Sequence, residues 1–236
     1  MRLDRFLTNA NVGSRKIVKE LIRKKKVLVN GQLCTKDDTK IDENEDIVEV
    51  EGVQIKYQKY VYYMMNKPSG VITATKDDQQ DTVLDLIHED IRKDLFPIGR
   101  LDKDTKGLLI LTNDGKLAHD LTSPKHHCDK KYYVRCQDKI TPEMIQTLEN
   151  RIDLKEESFQ PGKVEVLGEN ELYLTIQEGK FHQVKRMVHH AKNEVIYLKR
   201  VQVGTLILDE NLKEGEYRPL SMDEIKYLGA NYIKIK

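Results

Sequence analysis

From residue 61 onward the chain is a succession of short apolar and β-branched runs. They fall at Val61–Met65, Val71–Thr75, Gly107–Thr112, Tyr132–Cys136, Val164–Leu167, Leu172–Ile176 and Val195–Lys199. A parallel pair of strands needs a crossover of roughly a dozen residues or more. Many of the connections here are too short for one, so most of the pairing is expected to be antiparallel. Helical patterns fall between some of the runs, notably around 83–92, 142–150 and 182–192. The expected fold class is α+β, with a mixed, mostly antiparallel sheet over residues 61–236.

Residues 1–57 have a different texture. Leu3, Phe6, Leu7 and Ala10 recur at helical spacing. Gly13-Ser14 breaks that pattern, and Ser14 is suited to cap a second helix. Its apolar side is Ile17, Val18, Leu21 and Ile22; its other side is Arg15, Lys16, Lys19, Arg23 and Lys26. Val27–Val29 reads as a strand, Asn30-Gly31 as a tight turn, and 47–51 as a further strand. The expectation is a small α/β unit, joined to the rest by a polar, tyrosine-rich linker at Tyr57–Tyr60.

The net charge of +1 conceals how the charge is distributed. Residues 1–30 carry nine lysines and arginines against two acids, and residues 31–58 carry three lysines against eight acids. Clustered cations such as Arg2, Arg5, Arg15, Lys16, Lys19, Arg23 and Lys24 attract phosphate through a salt-dependent, largely sequence-blind force. The plain alternative is a solvated helix face. Three cysteines, Cys34, Cys128 and Cys136, form no CxxC pair, which argues against a disulfide framework and for a reducing compartment. No stretch approaches the ~20 apolar residues that span a bilayer, and the first residues lack an export run. A cytoplasmic protein without a membrane partner is expected. Nothing in the pattern signals an oligomer, so a monomer is expected.

Three stretches could carry chemistry. In PIGRLDKDTKGLLIL (97–111), Gly99 permits an unusual backbone conformation and the apolar run anchors the loop that presents Arg100, Asp102 and Asp104. A polar turn, closed after the apolar run by another turn at NDG, is the bland reading. In EGKFHQVKRMVHHAKN (178–193), Val184, Met187, Val188 and Ala191 make an apolar helical stripe. His182, Lys185, Arg186 and His189 make a cationic stripe beside it, from which a lysine can reach a carboxylate. In DKKYYV (129–134), Tyr132 and Tyr133 point to opposite faces of a strand, so one of them can stack on something flat. His126-His127-Cys128 and His189-His190 resemble metal ligands, but adjacent residues on an extended segment point apart and no zinc spacing recurs, so no metal site is expected. The chain has no phosphate-cradling glycine loop and no GxSxG nucleophile elbow.

These stretches together resemble pseudouridine synthases of the RsuA type, the branch that acts on small-subunit ribosomal RNA. The resemblance rests on GRLDKDTKGLLILTNDG, SPKHHCDKKYYV, EGKFHQVKRM, YYMMNKPSG (62–70) and GEYRPL (215–220). The opening RLDRFLTNANVGSRKIVKELIRKKKVLVNG with the later DIVEV is similar to the S4 RNA-binding domain. The resemblance implies an S4-like RNA-binding domain over 1–57 and a pseudouridine synthase domain over 61–236. It implies that Asp102 is the catalytic aspartate, that Tyr132 stacks on the target base and that Lys185 pairs with Asp102. Arg100 would fill the gap left by the extruded nucleotide. Arg186 and the N-terminal cations listed above would contact RNA. Tyr133 departs from the pattern, since a second aromatic leaves open which ring meets the base.

The implied reaction detaches uracil from ribose at N1 and rejoins it through C5. It changes no oxidation state and gains no atoms, so no cofactor is expected. Asp102 can act as nucleophile or as base; the residues leave both open. The implied partner is 16S ribosomal RNA, naked or in an assembling particle. Two other readings compete: modification of 23S ribosomal RNA, and a non-catalytic RNA-binding assembly protein.

Overall fold

In the computed structural model the chain divides into two compact units, Met1–Lys59 and Tyr60–Lys236. The structure describes all residues except 11, 44, 56–59, 89–93, 124–126 and 233–236. Most of the tyrosine-rich linker stretch and His126 lie outside the described residues.

The first unit contains α1 (Leu3–Asn9), α2 (Arg15–Arg23), β1 (Val27–Val29), β2 (Gln32–Leu33), β3 (Val48–Val50) and β4 (Val53–Ile55). Its strands form one antiparallel sheet in the order β2-β1-β3-β4. Ser14 caps α2 by accepting the Ile17 N–H, as its position suggests. Asn30 and Gly31 both take positive φ, the conformation a two-residue hairpin turn requires. Leu3, Phe6, Leu7, Val18, Ile22, Val27 and Val48 make the core. Ile17, expected inside, is about half exposed at 49% among the cations of α2.

The second unit contains β5 (Tyr62–Lys67), β6 (Phe96–Ile98), β7 (Lys106–Thr112), α3 (Gly115–Thr122), β8 (Lys130–Cys136), α4 (Pro142–Leu148), β9 (Ile152–Asp153) and β10 (Ser158–Phe159). It continues with β11 (Lys163–Val166), β12 (Glu171–Ile176), α5 (Gln183–His190), β13 (Val195–Val203), β14 (Leu206–Ile207), β15 (Tyr217–Pro219) and α6 (Met222–Tyr232). The main sheet runs β11-β12-β8-β13-β7-β5-β15, with β14 on β13 and β6 on β7. The β13–β7 pair is parallel and its other pairs are antiparallel. This is the α+β, mostly antiparallel architecture expected from the short connections.

Strand β7 is buried on both faces, which is why its sequence is a continuous apolar run rather than an alternating one. Leu109 and Leu111 pack with Met144, Leu148, Val184 and Met187 from α4 and α5. Leu108 and Ile110 pack on the other side with Leu117, Leu121 and Leu228 from α3 and α6.

Three readings need correction. Val71–Thr75 is not a strand; an isolated bridge joins Ile72 to Thr82, and the Thr73 hydroxyl bonds the backbone of Leu101 instead. Residues 83–88 form turns rather than a helix. The Asp85 N–H bonds the Thr82 oxygen and the Ile87 N–H the Leu84 oxygen, both three residues back at 3.1 Å, which is the spacing of turns rather than of an α-helix. The NDG after β7 is a helix start rather than a closing turn, since Asp114 accepts the N–H groups of Lys116 and Leu117 and caps α3.

Candidate active site

One row of residues crosses the main sheet: Leu174 on β12, Tyr132 on β8, Arg200 on β13, Gly107 on β7 and Lys67 on β5. The site is built at this row. Gly107 has φ +102, and a Cβ there would lie 2.2 Å from the carbonyl oxygen and 2.8 Å from the nitrogen of Arg200. The parallel junction of β7 and β13 therefore requires glycine.

The loop entering β7 carries Asp102. Gly99 starts it at φ +69 with no steric neighbour closer than 3.8 Å, so it is needed for its backbone and not for space. Buried Leu101 anchors the loop. Buried Thr73 clamps the backbone of Leu101 on both sides, donating to its oxygen at 2.7 Å and accepting its N–H at 3.1 Å. Lys67 is fully buried and donates to the oxygens of Pro68 at 2.9 Å, Lys103 at 3.2 Å and Thr105 at 3.0 Å. An ammonium has three N–H donors, and the chain offers it three carbonyls. Burial pushes the Lys67 pKa down to about 8, against the attraction of Asp104 and Asp102. These fastenings hold the backbone on both sides of Asp102 and leave its side chain 26% exposed.

Helix α5 supplies the cations. Lys185 Nζ lies 3.4 Å from an Asp102 oxygen and 2.6 Å from an Asp104 oxygen, so it bridges the two acids. Burial alone would raise the Asp104 pKa; the Lys185 hydrogen bond and charge outweigh it and hold the carboxyl below its ordinary value. His182, at φ 50 before the helix starts, places Nε2 3.6 Å from the other Asp102 oxygen. Tyr132 faces the same cleft and is 7% exposed. Tyr133 points the other way and packs edge-on against Tyr173 and Tyr197. The ambiguity between the two tyrosines is thus one of strand alternation, and the ring beside Asp102 belongs to Tyr132.

Arg100 is exposed at the rim of this cleft. Arg186, four residues from His182, turns elsewhere: it pairs with Glu157 and lies 4.8 Å over the Phe159 ring. There it braces the loop before α5 against β10. In the first unit Arg2, Lys19 and Lys24 pair with Asp4, Asp37 and Glu20, while Arg5, Arg15, Lys16 and Arg23 are exposed and make no ion pair among the described residues. Sequence reasoning missed Thr73, His182 as a neighbour of Asp102, the row partner Arg200 and the buried clamp Lys67. The available signal for Lys67 was its place in NKP, a charged residue directly after an apolar strand.

A carboxylate in a walled cleft, with a lysine and a flat ring beside it, suits chemistry on a base and its sugar. The model of the RNA pseudouridylate synthase family matches residues 61–190, and that of the S4 domain matches residues 1–47. The chain belongs to the RNA pseudouridylate synthase family. It is 44% identical to an uncharacterized RNA pseudouridine synthase of Bacillus subtilis, covering 97% of this chain and 98% of that one. It is 40% identical to the ribosomal small subunit pseudouridine synthase A of Vibrio cholerae, over 95% of this chain and 98% of the relative. With its counterpart from Yersinia pestis the identity is 37%, over 99% and 100%. A crystal structure of a pseudouridylate synthase superposes with a TM-score of 0.69 at 36% identity, covering 97% of this chain and 99% of that chain. The protein is an RNA pseudouridine synthase, an isomerase, with an S4 domain at its N-terminal end. Among the described residues no helix is long and apolar enough to cross a membrane.

Proposed function

We infer that this synthase converts a specific uridine of 16S ribosomal RNA to pseudouridine, with Asp102 as the essential carboxylate. The single observation that carries the catalytic part is the position of Asp102: in the cleft with Tyr132, its oxygens 3.4 Å from Lys185 and 3.6 Å from His182. The target is supported by relatives from Vibrio cholerae and Yersinia pestis, named for the ribosomal small subunit, which match nearly the full chain.

Lys185 and His182 stand beside the Asp102 carboxylate in a partly closed site. The carboxylate then adds to C1′ or removes a ribose proton, and either step weakens the N1–C1′ bond. The freed uracil turns against the face of Tyr132. C5 bonds to C1′ as the Asp102–C1′ bond breaks or Asp102 returns the ribose proton; C5 then gives up its proton and N1 ends protonated, so the product has the composition of the substrate. The target must leave its stack, which costs a few kcal/mol. Arg100, exposed at the rim, offsets part of that by occupying the space the nucleotide vacates. Arg15, Lys16, Lys19, Arg23 and their neighbours on the S4 unit add phosphate contacts that strengthen binding without reading sequence. The working form is a cytoplasmic monomer, acting on the RNA itself or on an assembling small-subunit particle.

Tritium release from C5-labelled uridine in small-subunit transcripts tests this reading. The intact protein should release label, from naked RNA or from partly assembled particles. Asp102→Asn should release none while its RNA affinity stays within about two-fold. Release by the variant would remove Asp102 from the chemistry. Release confined to large-subunit transcripts would move the target to 23S ribosomal RNA.

A further inference from the structure

Tyr132 and Arg100 also border a second cleft, of about 750 Å³, partly open to solvent. Lys130, Lys180 and Arg200 line it, and Glu178 is the one carboxylate in its wall. That carboxylate is already engaged by Lys180 at 3.0 Å, by the Gln160 N–H at 3.0 Å and by the Gln183 amide at 3.0 Å. Arg100, Lys130 and Arg200 have no ion-pair partner among the described residues. The cleft therefore carries an uncompensated positive charge.

Arg200 is the unusual member. It is 3% exposed, and its Nε donates to the Leu108 oxygen at 2.8 Å. Its two terminal nitrogens have no hydrogen-bond partner among the described residues. Among the described residues the one side-chain polar atom sealed from solvent without a partner is Asn66 Oδ1, so the Arg200 terminal nitrogens are not sealed off, and Arg200 is part of the cleft wall. The register opposite Tyr132 and Gly107 fixes where this guanidinium stands. Lys130 donates to the Cys128 oxygen at 3.0 Å and the Gln177 oxygen at 3.3 Å, which leaves one of its three N–H donors uncommitted. A buried guanidinium with neither a carboxylate nor a full set of carbonyls is costly unless something anionic completes it.

We propose that this second cleft is a phosphate site, which binds the phosphodiester adjoining the uridine in the Asp102 cleft through the two terminal nitrogens of Arg200 and the free N–H of Lys130. The planar guanidinium fork matches two phosphate oxygens. Tyr132 stands between the two clefts, so a strand whose target base meets its ring on one side carries a backbone phosphate within reach of the other. This rests on the reading that the Asp102 cleft receives the target nucleotide. The site fixes the strand's register relative to Asp102, and it adds one phosphate contact to those of the S4 unit.

Two measurements on the full chain test it. In the first, inorganic phosphate is titrated while the backbone amide signals of Gly99 and Gly179, both in the cleft wall, are followed by NMR. Saturable shifts are expected in the native protein, with binding at least ten-fold weaker in Lys130→Met and in Arg200→Lys. Arg200→Lys is read only if it unfolds cooperatively; Lys130→Met and the second measurement stand without it. In the second, substrate RNA carries a single neutral methylphosphonate on either side of the target uridine. One of the two positions should weaken binding to the native protein about five- to ten-fold, yet change binding to Lys130→Met less than two-fold, because the lost charge and the lost donor belong to one contact. Phosphate shifts that persist in Lys130→Met, or a methylphosphonate effect equal in both proteins at both positions, would overturn the site. The phosphate titration needs no turnover. If it holds while tritium release fails, the anion site stands and the Asp102 reading falls; if release occurs without phosphate binding, the reverse is true.

Discussion

The two units use cations in opposite ways. On α2 the charges of Arg15, Lys16 and Arg23 stand exposed with no ion pair among the described residues, and that of Lys19 meets Asp37 across a surface where a pair contributes about 0–1 kcal/mol. In the second unit, Lys67 and Arg200 are 0% and 3% exposed and are bonded to backbone oxygens rather than to carboxylates. A cation in water acts on whatever anion comes near, over a distance set by salt. A cation bonded to backbone fixes where that backbone lies. We expect the first arrangement to supply affinity and the second to set geometry around Asp102.

The largest expected effect comes from the row that seats Arg200. Gly107→Ala sets a Cβ 2.2 Å from the Arg200 carbonyl oxygen at a φ that L-residues avoid. We expect it to destabilise the second unit by more than about 4 kcal/mol, measured by denaturant unfolding. A variant as stable as the native protein would show that the β7–β13 junction can spread, and the claim of fixed geometry would fail with it.

Lys67→Met comes next. It strands the carbonyls of Pro68 and Thr105, while that of Lys103 keeps the Gly70 N–H at 2.8 Å; an acceptor left unmade costs about 1–3 kcal/mol. We expect a loss of about 3 kcal/mol, and a single-turnover rate down by about 100-fold as Asp102 drifts from its place, with RNA affinity little altered. Its pH dependence has a definite sign. The folded chain releases the Lys67 proton at about 8, while an unfolded lysine keeps it to about 10.4. Between those values the unfolded state binds more protons, so stability rises with pH. The advantage of the native protein over Lys67→Met should therefore widen from pH 8 to 10 in paired urea titrations. A constant difference would mean that the three carbonyls keep the ammonium charged.

How much of this could be read from residues follows the same division. The basic face of α2 was legible because helical spacing alone decides which side a residue takes. The strands were legible wherever both neighbours are strands, as in β7, β8 and β12. Asp102, Tyr132, Lys185 and Arg100 were legible through the motifs that hold them, and the structure brings all four to one cleft. Tyr132 could not be told from Tyr133 until strand register fixed which ring faces the cleft. The fastenings were not legible. Thr73 and Leu101 are far apart in sequence and meet through one hydroxyl, an arrangement with no period to detect. The apolar residues Val83, Leu84 and Ile87 are buried at helix-like spacing, yet Asp85 ties back to Thr82 and the segment turns instead. Arg186 shares its stripe with Lys185, but one position further round the helix it meets Glu157 and Phe159. Spacing assigned it to a face, and the neighbouring hairpin decided what that face touches.

The smallest effect on the enzyme's chemistry should come from the most charged surface. Replacing Arg15, Lys16 and Lys19 by Ala removes three exposed cations, and their one ion-pair partner among the described residues, Asp37 of Lys19, is itself partly exposed. Folding stability should change by less than about 0.5 kcal/mol per site. RNA affinity at moderate salt should fall about 10- to 100-fold, and the slope of log affinity against log salt should flatten by about two to three. The loss should concentrate in affinity, with the single-turnover rate at saturating RNA moved far less than in Lys67→Met. If the slope stays put, the α2 face meets water rather than RNA. If the saturated rate falls as far as it does in Lys67→Met, these exposed cations contribute to geometry as well, and the contrast between the two units does not hold.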